Sequence, residues 1–379
     1  MLDFLIRGGH VIDPASHING LRDVAVKDGR IVDLPPEPAA SHVLDATGCY
    51  VFPGLIDAHA HSYFPGSGLG VQPDFLASTG VTTVLDAGTA GWSNYPAFHN
   101  TTVVNSAVRV KALVAYNNSG QIELGYLEDY SRASIKVEKI RRLLERYPGE
   151  IVGIKMRFQR EVTGDTGVRR LRELIEVAEE LGCPVTVHTT DPPASAEEIA
   201  DLLRSGDVYC HCYQGKGHTI VDEHGCVYPA VRRARERGVW FDAANGTGNF
   251  AFSTAAAALK DGFLPDIISA DNASNSFCLD HYAKNLPFVM SKYLALGMTL
   301  EQVVTCVTQN PAKLLGMEGK IGTLAPGAFA DIAVMKLCRK EQEYWDSTKN
   351  PSTAVRADAV LVPQATLLNG VAVYRANDF

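Results

Sequence analysis

A chain of 379 residues, 46% of them hydrophobic, can bury a large core, and its ordinary charged content excludes a disordered or fibrous protein. Lys and Arg number 35 against 43 Asp and Glu, a formal charge of −8 that weighs against a nucleic-acid backbone as partner. Eight cysteines without regular spacing exclude a disulfide scaffold and point to reduced thiols in a cytoplasmic protein; no signal-peptide pattern or membrane-length apolar run is evident, so no membrane is expected.

Residues 1–52 carry short apolar runs at 4–6, 24–26, 30–32 and 42–45, separated by Gly, Asn, Asp and Pro, a texture of small strands and turns. The same texture returns in residues 320–379, with strand-like runs at 330–335 and 366–374 around a turn at Asn369-Gly370. Both termini are therefore expected to join in one small β-sandwich-like domain. Residues 53–319 alternate strand-like and helix-like segments. Strands are predicted at 50–56, 81–86, 108–114, 151–156, 184–188, 208–212, 239–242 and 267–270. Helical periodicity is clearest at 137–147, 169–181, 196–203 and 228–237. Eight β–α alternations predict an α/β fold, a TIM-type (β/α)8 barrel, rather than an open doubly wound sheet.

Polar residues stand where the buried strands stop. His59 and His61 follow an apolar strand, and residues two apart on an extended chain point the same way. Lys155 lies inside Ile151-Val152-Gly153-Ile154-Lys155-Met156, where an ammonium is costly unless it is paired, neutralised or snorkelling. His188 and His211 close two further strands, and Asp271 ends the last. A histidine can be a hydrogen-bonded core residue and an aspartate a cap or turn residue. Five strands ending in such groups, however, converge on the barrel face that carries active sites. Cys210 and Cys212 flank His211, and strand alternation predicts that both point away from the centre His211 faces and serve packing.

Imidazoles with carboxylate oxygens suit Zn²⁺ and related borderline ions better than Mg²⁺. Two divalent metals about 3.5–4 Å apart can share a hydroxide, lower its pKa and polarise a carbonyl. Asp271 is then the catalytic group that takes the hydroxide proton and delivers it to the leaving atom. A net positive site favours an oxyanion and attracts a small anionic substrate.

The order of these residues resembles the amidohydrolase superfamily, the binuclear group that includes dihydroorotases, hydantoinases, isoaspartyl dipeptidases and D-aminoacylases. The similarity spans nearly the whole chain, through Pro53-Gly54-Leu55-Ile56-Asp57-Ala58-His59-Ala60-His61 to Gly327-Ala328-Phe329-Ala330-Asp331-Ile332. The resemblance implies metal ligation by His59, His61, His188, His211 and Asp271, with Lys155 carbamylated and bridging the two ions. Gly153-Ile154-Lys155-Met156-Arg157 and Gly206-Asp207-Val208-Tyr209-Cys210-His211-Cys212-Tyr213 resemble a dihydroorotase-like branch often labelled amidohydrolase/deacetylase, with members that act on small acylated carboxylic acids. That branch leads one to expect a histidine near the end of strand seven and another just after the strand-eight aspartate. This chain has Asn245 and Asp271-Asn272-Ala273-Ser274-Asn275 there, which bears on the substrate rather than on the metals.

Substrate contacts are expected from Arg157, two residues past Lys155 and suited to a substrate carboxylate or to an acidic neighbour. Tyr63 is a candidate donor to the carbonyl, and Asn245 to the leaving group. The glycine-rich segment 63–70 reads as a mobile loop at the mouth. The expected activity is hydrolysis of a small N-acyl or O-acyl carboxylic acid, a deacetylase or deacylase reaction. Alternatives are opening of a cyclic amide, deamination of a nitrogen heterocycle, or a metal-binding scaffold without turnover. The resemblance also implies a homo-oligomer.

Overall fold

The computed structural model describes residues 1–123, 125–377 and 379. Seven parallel strands curl into one sheet in chain order: Leu55–Ala60, Val81–Gly91, Arg109–Ala115, Ile151–Arg157, Val185–His188, Val208–Cys210 and Trp240–Asp242. The eighth predicted strand makes no ladder. Residues 267–272 instead close the barrel by single parallel bridges, Asp242 to Ile267 on one side and Ala60 to Asn272 on the other. Hydrogen bonds from Ala243 N to Ile267 O (3.0 Å) and from Asp271 N to His59 O (2.9 Å) complete the seam. Asp271 has a left-handed backbone (φ 53°) and Ala244 a positive φ of 29°, so neither edge stays extended long enough for regular pairing.

The first predicted strand is in fact two. Tyr50–Pro53 pairs antiparallel with Ile332–Tyr344 in a small sheet, and the barrel strand starts at Leu55. Gly54 is the crossing point. A Cβ there would stand 2.3 Å from Thr82 Oγ1 and 2.9 Å from Asp331 Cβ, so only a bare backbone passes between the two sheets.

The termini meet as expected. A six-stranded sheet joins Ile18–Leu21, His10–Asp13 and Tyr50–Pro53 to Ile332–Tyr344, Val355–Leu368 and Val371–Arg375. A four-stranded sheet holds Arg30–Val32, Val24–Lys27, Leu2–Arg7 and Ala40–Asp45. Ile6, Val26 and Leu44 of the second sheet pack in one apolar cluster with Val51, Ile332 and Leu367 of the first. The sequence pattern understated the C-terminal hairpin, because strands 332–344 and 355–368 run on into polar residues and form a long arm. Helices Arg169–Leu181, Ala196–Leu202 and Pro229–Glu236 lie within a residue or so of the expected bounds. Ala196–Leu202 opens with a capping box, Ser195 and Glu198 satisfying each other's backbone amides. Among the described residues no helix is long and apolar enough to cross a membrane.

Candidate metal centre and active site

Ile56 of the first barrel strand packs in an apolar cluster with Leu85, Leu113 and Ala312. His59 is an odd number of residues further on, so strict alternation would turn it away. The pairing with the second strand slips between Asp57 and Ala60, and this irregularity brings His59 and His61 to the interior. His59 Nε2 and His61 Nε2 then lie 3.5 and 3.4 Å from Asp271 Oδ1, and Lys155 Nζ is 3.4 Å from His59 Nε2. The rings of His188 and His211 meet edge to face, with centroids 4.3 Å apart, and His211 is 5.1 Å from the His59 ring. All six residues predicted as ligands line one cavity of about 230 Å³.

Three of the four rings are held from behind. His211 Nδ1 donates to the Ala244 carbonyl at 2.7 Å, leaving Nε2 for the cavity. The Thr89 hydroxyl lies 2.8 Å from His61 Nδ1 and donates to Asp86 Oδ2, also at 2.8 Å. Asp86 further accepts from the amides of Ser62 and Thr89. Asp242 Oδ2 is 3.5 Å from His59 Nδ1, and Asp242 Oδ1 accepts from the Ser269 hydroxyl. Asp57 accepts from Ala270 N and Asn272 Nδ2, tying the first strand to the closing segment. Carboxylates behind ligating imidazoles fix ring orientation and raise basicity. Asp57, Asp86 and Asp242 were not singled out from sequence, although a buried Asp inside a strand such as Val84-Leu85-Asp86 demands partners and is itself a signal.

Cys210 overturns the sequence expectation. Its Sγ lies 3.1 Å from His59 Nδ1 and 3.8 Å from Lys155 Nζ, so it faces the site and not the surrounding helices. The strand ends at Cys210, and His211 adopts a left-handed backbone (φ 64°). That kink breaks the alternation, so neighbouring side chains turn to the same side. Cys212 is packed in the main apolar core, as expected.

Of the three expected substrate contacts, only Arg157 lines the cavity. Its guanidinium pairs with the buried Glu128 at 2.9 Å and donates to Gln159 Oε1 at 3.3 Å. Tyr63 packs against Phe98, centroids 5.0 Å apart, with Gly66 against its ring, and so lies outside the lining. Asn245 is fully buried behind the barrel wall, donating to Ser269 O, because the kink at Ala244 turns it outwards. Segment 63–70 is tied down by hydrogen bonds from Ser67 Oγ to Gln121 O and from Gly68 N to Ile122 O. The sequence missed Asn249 and Gln121, which line the cavity; Asn275, in the segment expected to bear on the substrate, lines it as well.

Burial holds the imidazoles of His59 and His188 well below the usual histidine range and brings His211 down to about 3. Three neutral rings therefore present nitrogen lone pairs at neutral pH. Burial pushes Asp271 up, but His59, His61 and His211 around it prevail and hold its carboxyl well below the usual range. Burial raises Asp57 to about 7 and Asp242 to about 6. The Nε2 atoms of His188 and His211 are buried without a hydrogen-bond partner among the described residues, a cost that a bound cation would remove. Ligand atoms of His59, His61 and Asp271 lie within 4.8 Å of one another, as do those of His59, Cys210 and His211. These groups fit a metal centre.

Comparison with known proteins agrees with this geometry. The model of the amidohydrolase family matches residues 50–373. A deacetylase of Brucella anthropi is 31% identical over 94% of this chain and 89% of its own length. Two solved structures superpose closely: an adenine deaminase (TM-score 0.88, 27% identity, 99% of this chain and 100% of that one) and a dihydroorotase (0.87, 28%, 99% and 98%). A match running from the small sheet through the whole barrel settles the lineage: this chain belongs to the amidohydrolase family and is a metal-binding hydrolase.

Proposed function

We propose that the chain hydrolyses an acyl C–N or C–O bond of a small carboxylic acid at a centre of two divalent ions. The observation that carries this reading is the convergence of His59, His61, Lys155, His188, His211 and Asp271 on one polar cavity, with two imidazole nitrogens left unpartnered. The donor set suits Zn²⁺. When bound, such ions supply an activated hydroxide and polarise the acyl carbonyl. Lys155 is 3% exposed inside the barrel and makes no ion pair among the described residues, which supports its conversion to an anionic carbamate that would help to hold the ions. Asp271 Oδ2 takes the proton of the attacking water and passes it to the leaving nitrogen or oxygen. Arg157 is placed to hold the substrate carboxylate.

Two substrate readings rest on different observations. The likeness to a deacetylase supports removal of an acyl group from an N-acyl or O-acyl acid. The likeness to a dihydroorotase supports opening of a cyclic amide, and the solved structures weigh toward that side. A panel assay of the Zn²⁺-reconstituted protein separates them. Free acyl acid supports the first and a single ring-opened product the second, whereas ammonia from an amino-heterocycle would overturn both. Asp271→Asn, measured beside the wild type, is expected to lose activity; unchanged turnover would overturn the role of Asp271.

A further inference from the structure

Asp271 does not present its two oxygens equally. Oδ1 faces the Nε2 atoms of His59 and His61, whereas Oδ2 accepts a 2.8 Å hydrogen bond from Asn249 Nδ2. The Asn249 carbonyl Oδ1 in turn accepts from the Thr190 hydroxyl, also at 2.8 Å. An ionised carboxylate only accepts hydrogen bonds, so the amide nitrogen must face Asp271 and the amide oxygen must face Thr190. The direction of the chain Thr190 to Asn249 to Asp271 is thereby fixed by chemistry.

The loop that carries Asn249 is fitted to this contact. At Gly246 (φ +53°) a Cβ would stand 2.4 Å from Asp271 Oδ2 and 3.1 Å from Asn249 Nδ2, so a side chain there would break the pair. From behind, the tip of the C-terminal arm grips the same loop. Ser347 N donates to Phe250 O at 2.8 Å, and Phe252 N donates to Asp346 Oδ2 at 3.0 Å. Lys292 Nζ sits 3.8 Å over the Phe250 ring. The small domain thus reaches across to fix a residue that touches the proposed acid–base group.

We propose that Asn249 is a positioning residue for Asp271: it reserves Oδ2 for proton transfer and turns Oδ1 to the metal-binding histidines, with Thr190 setting the amide. This rests on the reading of Asp271 given above. The test uses Zn²⁺-loaded wild type, Asn249→Ala, Thr190→Val and the double variant, with folding checked by thermal melting. Zn²⁺ affinity is measured by chelator competition, and kcat and KM on the best panel substrate.

Asn249→Ala is expected to weaken one of the two ions roughly 10- to 100-fold and to lower kcat with KM little changed. Thr190→Val should act in the same direction but less, and should add little on the Asn249→Ala background. Folded variants with both Zn²⁺ affinities unchanged would overturn the proposal. So would a change confined to KM, which would make Asn249 a substrate contact only. Should the wild type turn over no substrate, the functional reading falls, while the chelator titration still decides this one.

Discussion

The Cys210 thiol lies 3.1 Å from His59 Nδ1, on the opposite edge of the ring from the Nε2 that faces Asp271. The thiol is fully buried, and burial raises it well above its usual range. On the proposed reading, a protonated thiol on the far edge of the His59 imidazole would buttress the ring without joining the proposed metal pair, although His59, Cys210 and His211 lie close enough together to hold an ion. Cys210→Ser is therefore expected to keep two Zn²⁺ per chain by elemental analysis. Loss of one ion would show the sulfur to be a ligand.

Thr89 links Asp86 to His61 through its hydroxyl, 2.8 Å from each. Thr89→Val keeps the shape and removes the link. Affinity for one metal should fall roughly 10-fold or more in a chelator titration, with the other unaffected. Equal weakening of both ions would argue against a site divided between His59/His61 and His188/His211.

The partly exposed Arg157 at the cavity wall pairs with the buried Glu128. Glu128→Gln removes the charge that holds the guanidinium in place and should cost roughly 2–3 kcal/mol of stability in denaturant titration. Arg157→Met is expected to raise KM at least about 10-fold for a substrate bearing a carboxylate and to leave its neutral amide analogue unchanged. Equal effects on both would remove Arg157 from carboxylate recognition.

Lys292 is 1% exposed, and burial brings its ammonium down to about 7, against a partial opposing effect from Asp346. The unfolded chain therefore holds a proton that the folded chain releases between pH 7 and the usual lysine range near 10.5. Stability should accordingly rise with pH across that window. Lys292→Met removes this slope, so wild type should gain roughly 3 kcal/mol on the variant between pH 7 and 10. Parallel stability curves would contradict a charge-excluding environment around Nζ.

The barrel and its six candidate ligands were legible in the sequence because each ligand directly follows an apolar run, and the order of runs fixes the order of strand ends. Three features were not. Cys210 was misjudged, and Asn245 lies outside the cavity lining, because alternation holds only while a strand stays extended, and His211 and Ala244 leave that conformation. The supporting carboxylates Asp57, Asp86 and Asp242 belong to strands whose neighbours are set by barrel closure, not by nearby sequence. Asn249 escaped notice because a loop asparagine has no periodicity, and its partner Thr190 is 59 residues away.

The most direct measurement is a crystal structure of the Zn²⁺-loaded protein with anomalous data at the zinc edge. Two peaks are expected, one among His59, His61 and Asp271 and one between His188 and His211, with continuous density beyond Lys155 Nζ joining them. A bare lysine with no metal at the barrel mouth would contradict the account.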